Sequence, residues 1–156
     1  MTPINALVWL LAVMLGLQTG AGLYETRVLV PLWANAPPQS VVAYFTNPMR
    51  PDSGRRFWIM LTPTVGIVSL VNLIAAWQST GPRRAWWLGS SAASVLVVAA
   101  TFGYFVPALL RLARADERSA AEVVRAVRWW VKLNWVRAAV LTGAWLAALR
   151  ALTYSG

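Results

Sequence analysis

Four long runs of apolar residues, separated by shorter polar connections, account for most of the chain. A bilayer core about 30 Å thick needs about 20 apolar residues in a helix that rises about 1.5 Å per residue. The runs cover approximately residues 4–30, 57–77, 86–112 and 127–152, so each is long enough to cross. The pattern predicts an all-α integral membrane protein: a four-helix bundle in which residues 1–156 form a single transmembrane domain.

Tryptophans stand near the ends of these runs, where the predicted helices would leave the hydrocarbon. Indole rings favour the headgroup region because the ring body is apolar and its N–H needs a polar partner. We therefore expect belts of tryptophan at the two membrane surfaces. The residues concerned are Trp33, Trp58, Trp77, Trp86, Trp87, Trp129, Trp130 and Trp145.

The connection of residues 31–56 is the longest stretch outside the predicted spans. Pro37-Pro38 and residues 47–52, which contain two more prolines, oppose a continuous helix. Between them, residues 40–45 can form one amphipathic turn at the membrane surface. Two interpretations stay open: a solvated turn with basic anchors to anionic lipid, and a lid over a substrate entrance.

Composition agrees with the span prediction and limits the chemistry. Apolar residues make up 58% of the chain and charged residues 12%, whereas a soluble domain has about 45–50% and about 25%. Neither cysteine nor histidine occurs. Their absence excludes Ser-His-Asp and Cys-His sites, haem ligation by His or Cys, and the commonest metal ligand. We therefore expect no cofactor and no metal ion.

Basic residues are distributed unevenly between the two ends of the predicted bundle. Fourteen Lys and Arg against five acids give a formal charge of +9, and in membrane proteins such residues collect in cytoplasmic connections. This bias predicts that both termini are extracytoplasmic, as in a protein of the bacterial inner membrane, and that the charge faces lipid and not nucleic acid. One end has Arg27, Arg50, Arg55, Arg56, Arg111, Arg114, Arg118, Arg125 and Arg128, and the other has Arg83, Arg84 and Arg150.

Glu25 is the only acid within a predicted span, and Arg137 is the deepest base. Counted from the arginine-rich border, they lie roughly 8 and 15 Å deep. Each would cost about 2.5–3.5 kcal/mol to insert alone, so an ion pair between them is favoured. Two roles stay open: the pair ties the first and fourth helices together, or it serves binding or catalysis.

Other polar side chains fall at similar depth, and prolines accompany them. Pro63 and Pro107 each remove an intrahelical hydrogen bond and are expected to kink the second and third helices. We expect these kinks to open a cavity lined by Tyr104 and Phe105. The polar residues that join Glu25 and Arg137, at depths of roughly 10–18 Å, are Gln18, Thr101, Tyr104 and Asn134.

Three short segments resemble the small four-span membrane proteins grouped with fungal and bacterial anthrone oxygenases. They are residues 20–25 (GAGLYE), residues 101–107 (TFGYFVP) followed by Leu112, and residues 129–137 (WWVKLNWVR). The resemblance implies cofactor-free work on a polycyclic aromatic polyketide. It places Glu25, Tyr104, Asn134 and Arg137 in the shared motifs.

Together, these patterns predict a protein that binds and transforms a lipophilic small molecule in a polar-lined intramembrane pocket. Arg137 and Asn134 would hold an oxygen of the substrate while Glu25 or Tyr104 moves a proton. Two other functions stay open: a non-catalytic accessory subunit of a larger membrane complex, and a small transporter that works as a homo-oligomer. The expected catalytic residues are Glu25, Tyr104 and Arg137, and the expected substrate-binding residues are Gln18, Thr101 and Asn134.

Overall fold

A computed structural model describes residues 2–49 and 54–154, and all regular structure in this part of the chain is helical. Arg50, Pro51 and Asp52, which the sequence places in a break between helices, lie outside the described residues. In chain order the elements are α1 (Pro3–Tyr24), a first π-helical turn (Glu25–Leu29), α2 (Pro31–Ala34), α3 (Gln39–Thr46), α4 (Arg55–Gln78), α5 (Arg84–Ala100), a second π-helical turn (Thr101–Phe105), α6 (Val106–Leu112), a 3₁₀ turn (Ala115–Glu117) and α7 (Ala120–Leu152).

Within the described residues, four helical stretches are long and apolar enough to cross a membrane, which confirms the predicted integral membrane protein. They are Pro3–Ala34, Arg56–Gln78, Arg84–Leu112 and Ala120–Leu152. The last begins earlier than the predicted residue 127 because Ser119 forms a capping box with Glu122. That box satisfies the first amide groups of α7 and lets the helix start before its apolar part.

The four long helices pack as a ring, which confirms the predicted bundle. α1 lies against α4 and α7, and α5 lies against the same two helices. Each long helix therefore touches the long helices next to it in the ring, and α1 and α5 face each other diagonally. The shared core contains Leu11, Leu15, Val65, Trp87 and Leu141.

Glycines allow close contact at two of these interfaces. A Cβ added at Gly16 on α1 would stand 2.9 Å from the indole Nε1 of Trp145 on α7. At Gly66 on α4, the added atom would stand 3.1 Å from Cγ1 of Val98 on α5. Small residues at such points let helix backbones approach, as is usual in membrane bundles.

The prolines act differently from one another. Pro31 and Pro107 each follow a π-helical turn by one valine, Val30 or Val106. The wider turn accommodates a residue that cannot donate to the usual carbonyl. Pro63, by contrast, lies inside an α4 that continues to Gln78. The regular α-helix is thus interrupted before Pro31 and Pro107 but not at Pro63, and the kinks expected at Pro63 and Pro107 stay predictions.

Of the tryptophans expected in the belt, some are exposed and others are buried in the bundle. Trp77, Trp86 and Trp129 are exposed, as expected for rings in the headgroup region. Trp87 and Trp130 are buried in the bundle. A buried indole needs an acceptor for its N–H, and both have one: Trp87 donates to the Asn72 side chain at 2.9 Å and Trp130 to the Phe105 carbonyl at 3.4 Å.

The amphipathic turn expected at residues 40–45 is the helix α3, and it packs on the end of the bundle. Val41, a residue of α3 itself, is fully buried. The Ser40 hydroxyl donates to the Trp33 carbonyl at 2.7 Å, and the rings of Phe45 and Trp33 lie 6.1 Å apart. Trp33 was also expected in the belt, but it is buried by these contacts.

Candidate functional site

An ion pair joins the first span to the fourth. Arg137 Nη2 on α7 donates to Glu25 Oε2 at 3.3 Å. Glu25 begins the first π-helical turn, and this places its carboxylate toward α7. The two side chains keep 15% (Arg137) and 21% (Glu25) of their surface accessible. The pair expected from residue depth therefore forms, and both of its side chains are partly accessible.

The guanidinium of Arg137 also contacts the third span. Its central carbon lies 4.5 Å from the ring centroid of Phe105. Among the described residues it makes one hydrogen bond, to Glu25, whereas a guanidinium has five N–H donors. Carboxylate, cation and aromatic face thus come together where three spans meet, with donors of the cation unused.

The two π-helical turns supply the partners of Arg137. The first contains Glu25 and the second contains Phe105, and each is followed by a Val-Pro pair. Such turns redirect side chains relative to a regular helix and are frequent at functional sites. Sequence reasoning treated Phe105 only as a neighbour of Tyr104. The repeated Val-Pro spacing was the signal that could have identified both turns.

Asn134 lies one helical turn from Arg137 and ties α7 to the first span. Its Nδ2 donates to the Thr26 hydroxyl at 2.8 Å, and that hydroxyl donates to the Gly22 carbonyl at 2.7 Å. Asn134 Oδ1 is buried and has no hydrogen-bond partner among the described residues. The side-chain amide of Asn134 therefore has a paired donor and an unpaired acceptor.

Gln18, deeper along α1, shows the same feature. Its Oε1 is buried without a partner in the described part of the chain, as is the hydroxyl of the adjacent Thr19. A buried acceptor left unpaired costs about 1–3 kcal/mol, so a bound water or ligand group would stabilise such an atom. Three of the four such atoms in the described residues lie on the first and fourth spans, which carry the ion pair, and the fourth, the Ser91 hydroxyl, lies on α5.

Thr101 and Tyr104 do not join this cluster directly. The Thr101 hydroxyl donates to the Val97 carbonyl of its own helix at 2.8 Å. Tyr104 is exposed and touches the Phe105 ring edge to face, with centroids 5.3 Å apart. It lines a surface groove of about 140 Å³ whose other lining residues are Ala108, Arg111, Leu112, Arg118, Val123 and Ala126.

The site expected from the sequence thus divides in two. Glu25 and Arg137 form one part, with Asn134 beside them, and Tyr104 belongs to the groove. Phe105 was expected to line a cavity with Tyr104, but it is buried against Trp130, at a centroid distance of 5.7 Å. Trp130 in turn lies 5.1 Å from Trp33. These packed rings close the end of the bundle beside the ion pair.

A second polar cluster, which sequence reasoning missed, lies elsewhere between the helices. Ser69 and Ser94 share a hydrogen bond of 2.6 Å between α4 and α5, and Ser90 donates to the Ala144 carbonyl of α7 at 2.8 Å. The Asn72–Trp87 bond continues the series. These groups satisfy one another, so we interpret them as ties between helices.

The comparisons with known proteins identify a family. The model of a family described as anthrone oxygenase matches residues 55–147, which is more than half of the chain. Thr101, Tyr104, Asn134 and Arg137 lie inside the matched region, and Gln18 and Glu25 precede it. No curated protein and no solved structure matches the chain. From the family match, together with the four apolar spans, we conclude that this integral membrane protein belongs to the anthrone oxygenase family.

Proposed function

We propose that the protein binds and oxygenates a lipophilic polycyclic substrate that can form an enolate, at the site built around Glu25 and Arg137. The family description supports the substrate class. The partly accessible ion pair, whose guanidinium has unused donors, is the observation that carries the proposal.

Arg137 is the group that would bind an oxygen of the substrate. Its free N–H groups can donate to a carbonyl, while the Phe105 ring covers one face of the guanidinium. A fixed cation in a largely apolar site stabilises the negative charge that develops on that oxygen far better than it would in water. The neighbouring ring offers an aromatic surface for a flat substrate.

Glu25 is the group that would accept the proton. Its Oε2 lies 3.3 Å from Nη2 of Arg137, and as a carboxylate it would be able to accept a proton. With a substrate carbonyl bound to Arg137, an acidic C–H of the same ring could approach this carboxylate, and removal of its proton gives an enolate. The enolate reacts with dioxygen, so that a CH₂ group and O₂ become a C=O group and water. General-base catalysis of this kind contributes about 10²–10⁴-fold.

Gln18 and Asn134 would orient the substrate. Their acceptor oxygens are unpaired but fully buried, so a hydroxyl group of a polycyclic ligand would bind them only after the helices open to admit it. Tyr104 reaches the pair only through the Phe105 ring. Proton removal is therefore the role of Glu25. Thr101 would make no substrate contact, because its hydroxyl donates to its own helix.

Oxygen consumption by purified protein in lipid nanodiscs tests the proposal. With a hydroxylated anthrone as substrate, we expect wild-type protein to consume one O₂ per quinone formed. Arg137→Gln should lower the rate by about 10²–10³-fold, the usual effect of losing an oxyanion donor.

Arg27→Gln is the matched control, because Arg27 lies in the same π-helical turn as Glu25 but is exposed and lies over Trp135, at 5.4 Å. It should keep the wild-type rate. Equal losses in both variants, or no quinone with wild-type protein, would contradict the proposal.

A further inference from the structure

The groove beside Tyr104 has a character different from that of the ion-pair site. Four of its lining residues are apolar: Ala108, Leu112, Val123 and Ala126. Arg111 and Arg118 contribute positive charge to the same groove, and Tyr104 contributes a hydroxyl. The groove is thus lined partly by apolar side chains and partly by cationic ones.

No carboxylate lines the groove within the described residues, although Asp116 and Glu117 are in the preceding 3₁₀ turn and Glu122 is in the first turn of α7. Neither Arg111 nor Arg118 takes part in an ion pair there, and both are exposed. The nearby Glu122 carboxylate is held by the Ser119 hydroxyl and amide in the capping box of α7. Two like charges beside one concave surface repel each other unless an anion lies between them.

The position of the groove brings it to the membrane surface. It lies between α6, where the third span ends, and the first turns of α7. Lipid phosphates occupy this level, and arginine binds phosphate with planar, paired N–H donors. The volume of about 140 Å³ is smaller than the ~300–1,000 Å³ of a pocket for a drug-sized ligand, so the groove fits a headgroup better than a whole polycyclic molecule.

We propose that this groove binds an anionic phospholipid, with the phosphate held by Arg111 and Arg118 and an acyl chain along the apolar wall beside Tyr104. The wall favours a lipid over free phosphate, which has no apolar part to bury. The site is independent of the oxygenation proposed above, since it does not include Glu25 or Arg137.

Lipid binding to the full-length protein tests the proposal. Native mass spectrometry after exchange into detergent compares dioleoyl phosphatidylglycerol with dioleoyl phosphatidylcholine, which has the same chains but no net charge. Wild-type protein should prefer the anionic lipid. Each arginine at a lipid surface is worth about fivefold in affinity, so Arg111→Gln with Arg118→Gln should reduce the preference on the order of 20-fold.

Arg114→Gln with Arg125→Gln is the matched control. Arg114 is exposed on the connection between α6 and α7, and Arg125 is exposed near the start of α7. Neither of them lines the groove. This variant has the same net charge as the groove variant, so its loss of preference measures the part due to diffuse surface charge and should be clearly smaller. An equal loss in the two variants would show diffuse surface charge and overturn the proposal.

One further variant and one competition experiment complete the test of this lipid site. Arg111→Lys with Arg118→Lys retains the charge and should retain part of the preference, even if the glutamine variant fails to fold. Inorganic phosphate, added at the concentration that saturates with the anionic lipid, should not displace that lipid. Displacement by phosphate, or a wild-type protein without lipid preference, would overturn the proposal.

Discussion

Arg137 and Glu25, 112 positions apart in the chain, share a single hydrogen bond of 3.3 Å that joins the fourth span to the first. Each side chain alone would be an unpaired charge within an apolar bundle. Because the bond is single and the pair is partly accessible, the contact holds the helices and still leaves donors for a ligand. Both roles expected from the sequence are therefore compatible with one geometry.

The stability contribution of this pair can be separated from any catalytic one. Glu25→Gln or Arg137→Gln alone leaves one charge without its partner, which costs about 3–5 kcal/mol when the pair is buried. The double variant leaves neither charge alone and should recover much of the loss. Unfolding of all four proteins in mixed micelles measures the cycle, and strictly additive losses would contradict a direct pair.

Alanine substitutions at Gly16 and at the nearby Gly20 should affect stability differently. Gly16→Ala places a methyl group 2.9 Å from the Trp145 indole, and such overpacking costs about 1–3 kcal/mol. Gly20→Ala meets nothing within 4 Å and should leave stability unchanged or raise it by up to about 1 kcal/mol. Thermal unfolding of the two variants checks this contrast. A larger loss at Gly20 would mean that α1 and α7 pack in another register.

Trp87 and Trp86 are adjacent but should respond in opposite ways. Trp87→Phe leaves the buried Asn72 oxygen without its donor, at a cost of about 1–3 kcal/mol. Trp86→Phe removes an exposed indole and should cost less than about 0.5 kcal/mol. Chemical unfolding of both variants gives the comparison. Equal effects would place Trp87 at the membrane surface, as the sequence pattern alone had predicted.

Topology remains a prediction from the distribution of arginine. A reporter that is active only outside the cytoplasm, fused after Gly156, should be active, and one inserted in the 113–119 connection should be silent. The reason is that basic connections are retained on the cytoplasmic side. The reverse pattern of activity would overturn the predicted orientation.

The sequence determined the helical spans and the ion pair better than it determined local geometry. Apolar runs and depth counting were enough for the four helices and for Glu25 with Arg137, since length and the cost of buried charge act directly on the chain. Hydrophobic patterning does not distinguish an α-helical turn from a π-helical one. The turns that begin at Glu25 and Thr101, and with them the position of Phe105, therefore appeared only in the structure.

Hydrophobic patterning also did not predict which residues each tryptophan packs against. A tryptophan near the end of an apolar run is equally consistent with a lipid surface and with a buried site, and only the partner decides between them. Trp87 is buried because Asn72 accepts its N–H, and Trp130 because the Phe105 carbonyl does. Tyr104 was grouped with Glu25 by depth alone. Its outward direction, set by the second π-helical turn, places it in the groove instead.

The most direct test of the central claim is the absorption spectrum of the bound ligand in the absence of oxygen. If Glu25 removes a proton and Arg137 holds the resulting oxyanion, anaerobic binding of a hydroxylated anthrone to wild-type protein will produce the spectrum of its anion. Glu25→Gln, compared with the Arg27→Gln control, should bind the ligand and leave it in its neutral form. An anion spectrum of equal intensity in the Glu25→Gln protein would contradict the account.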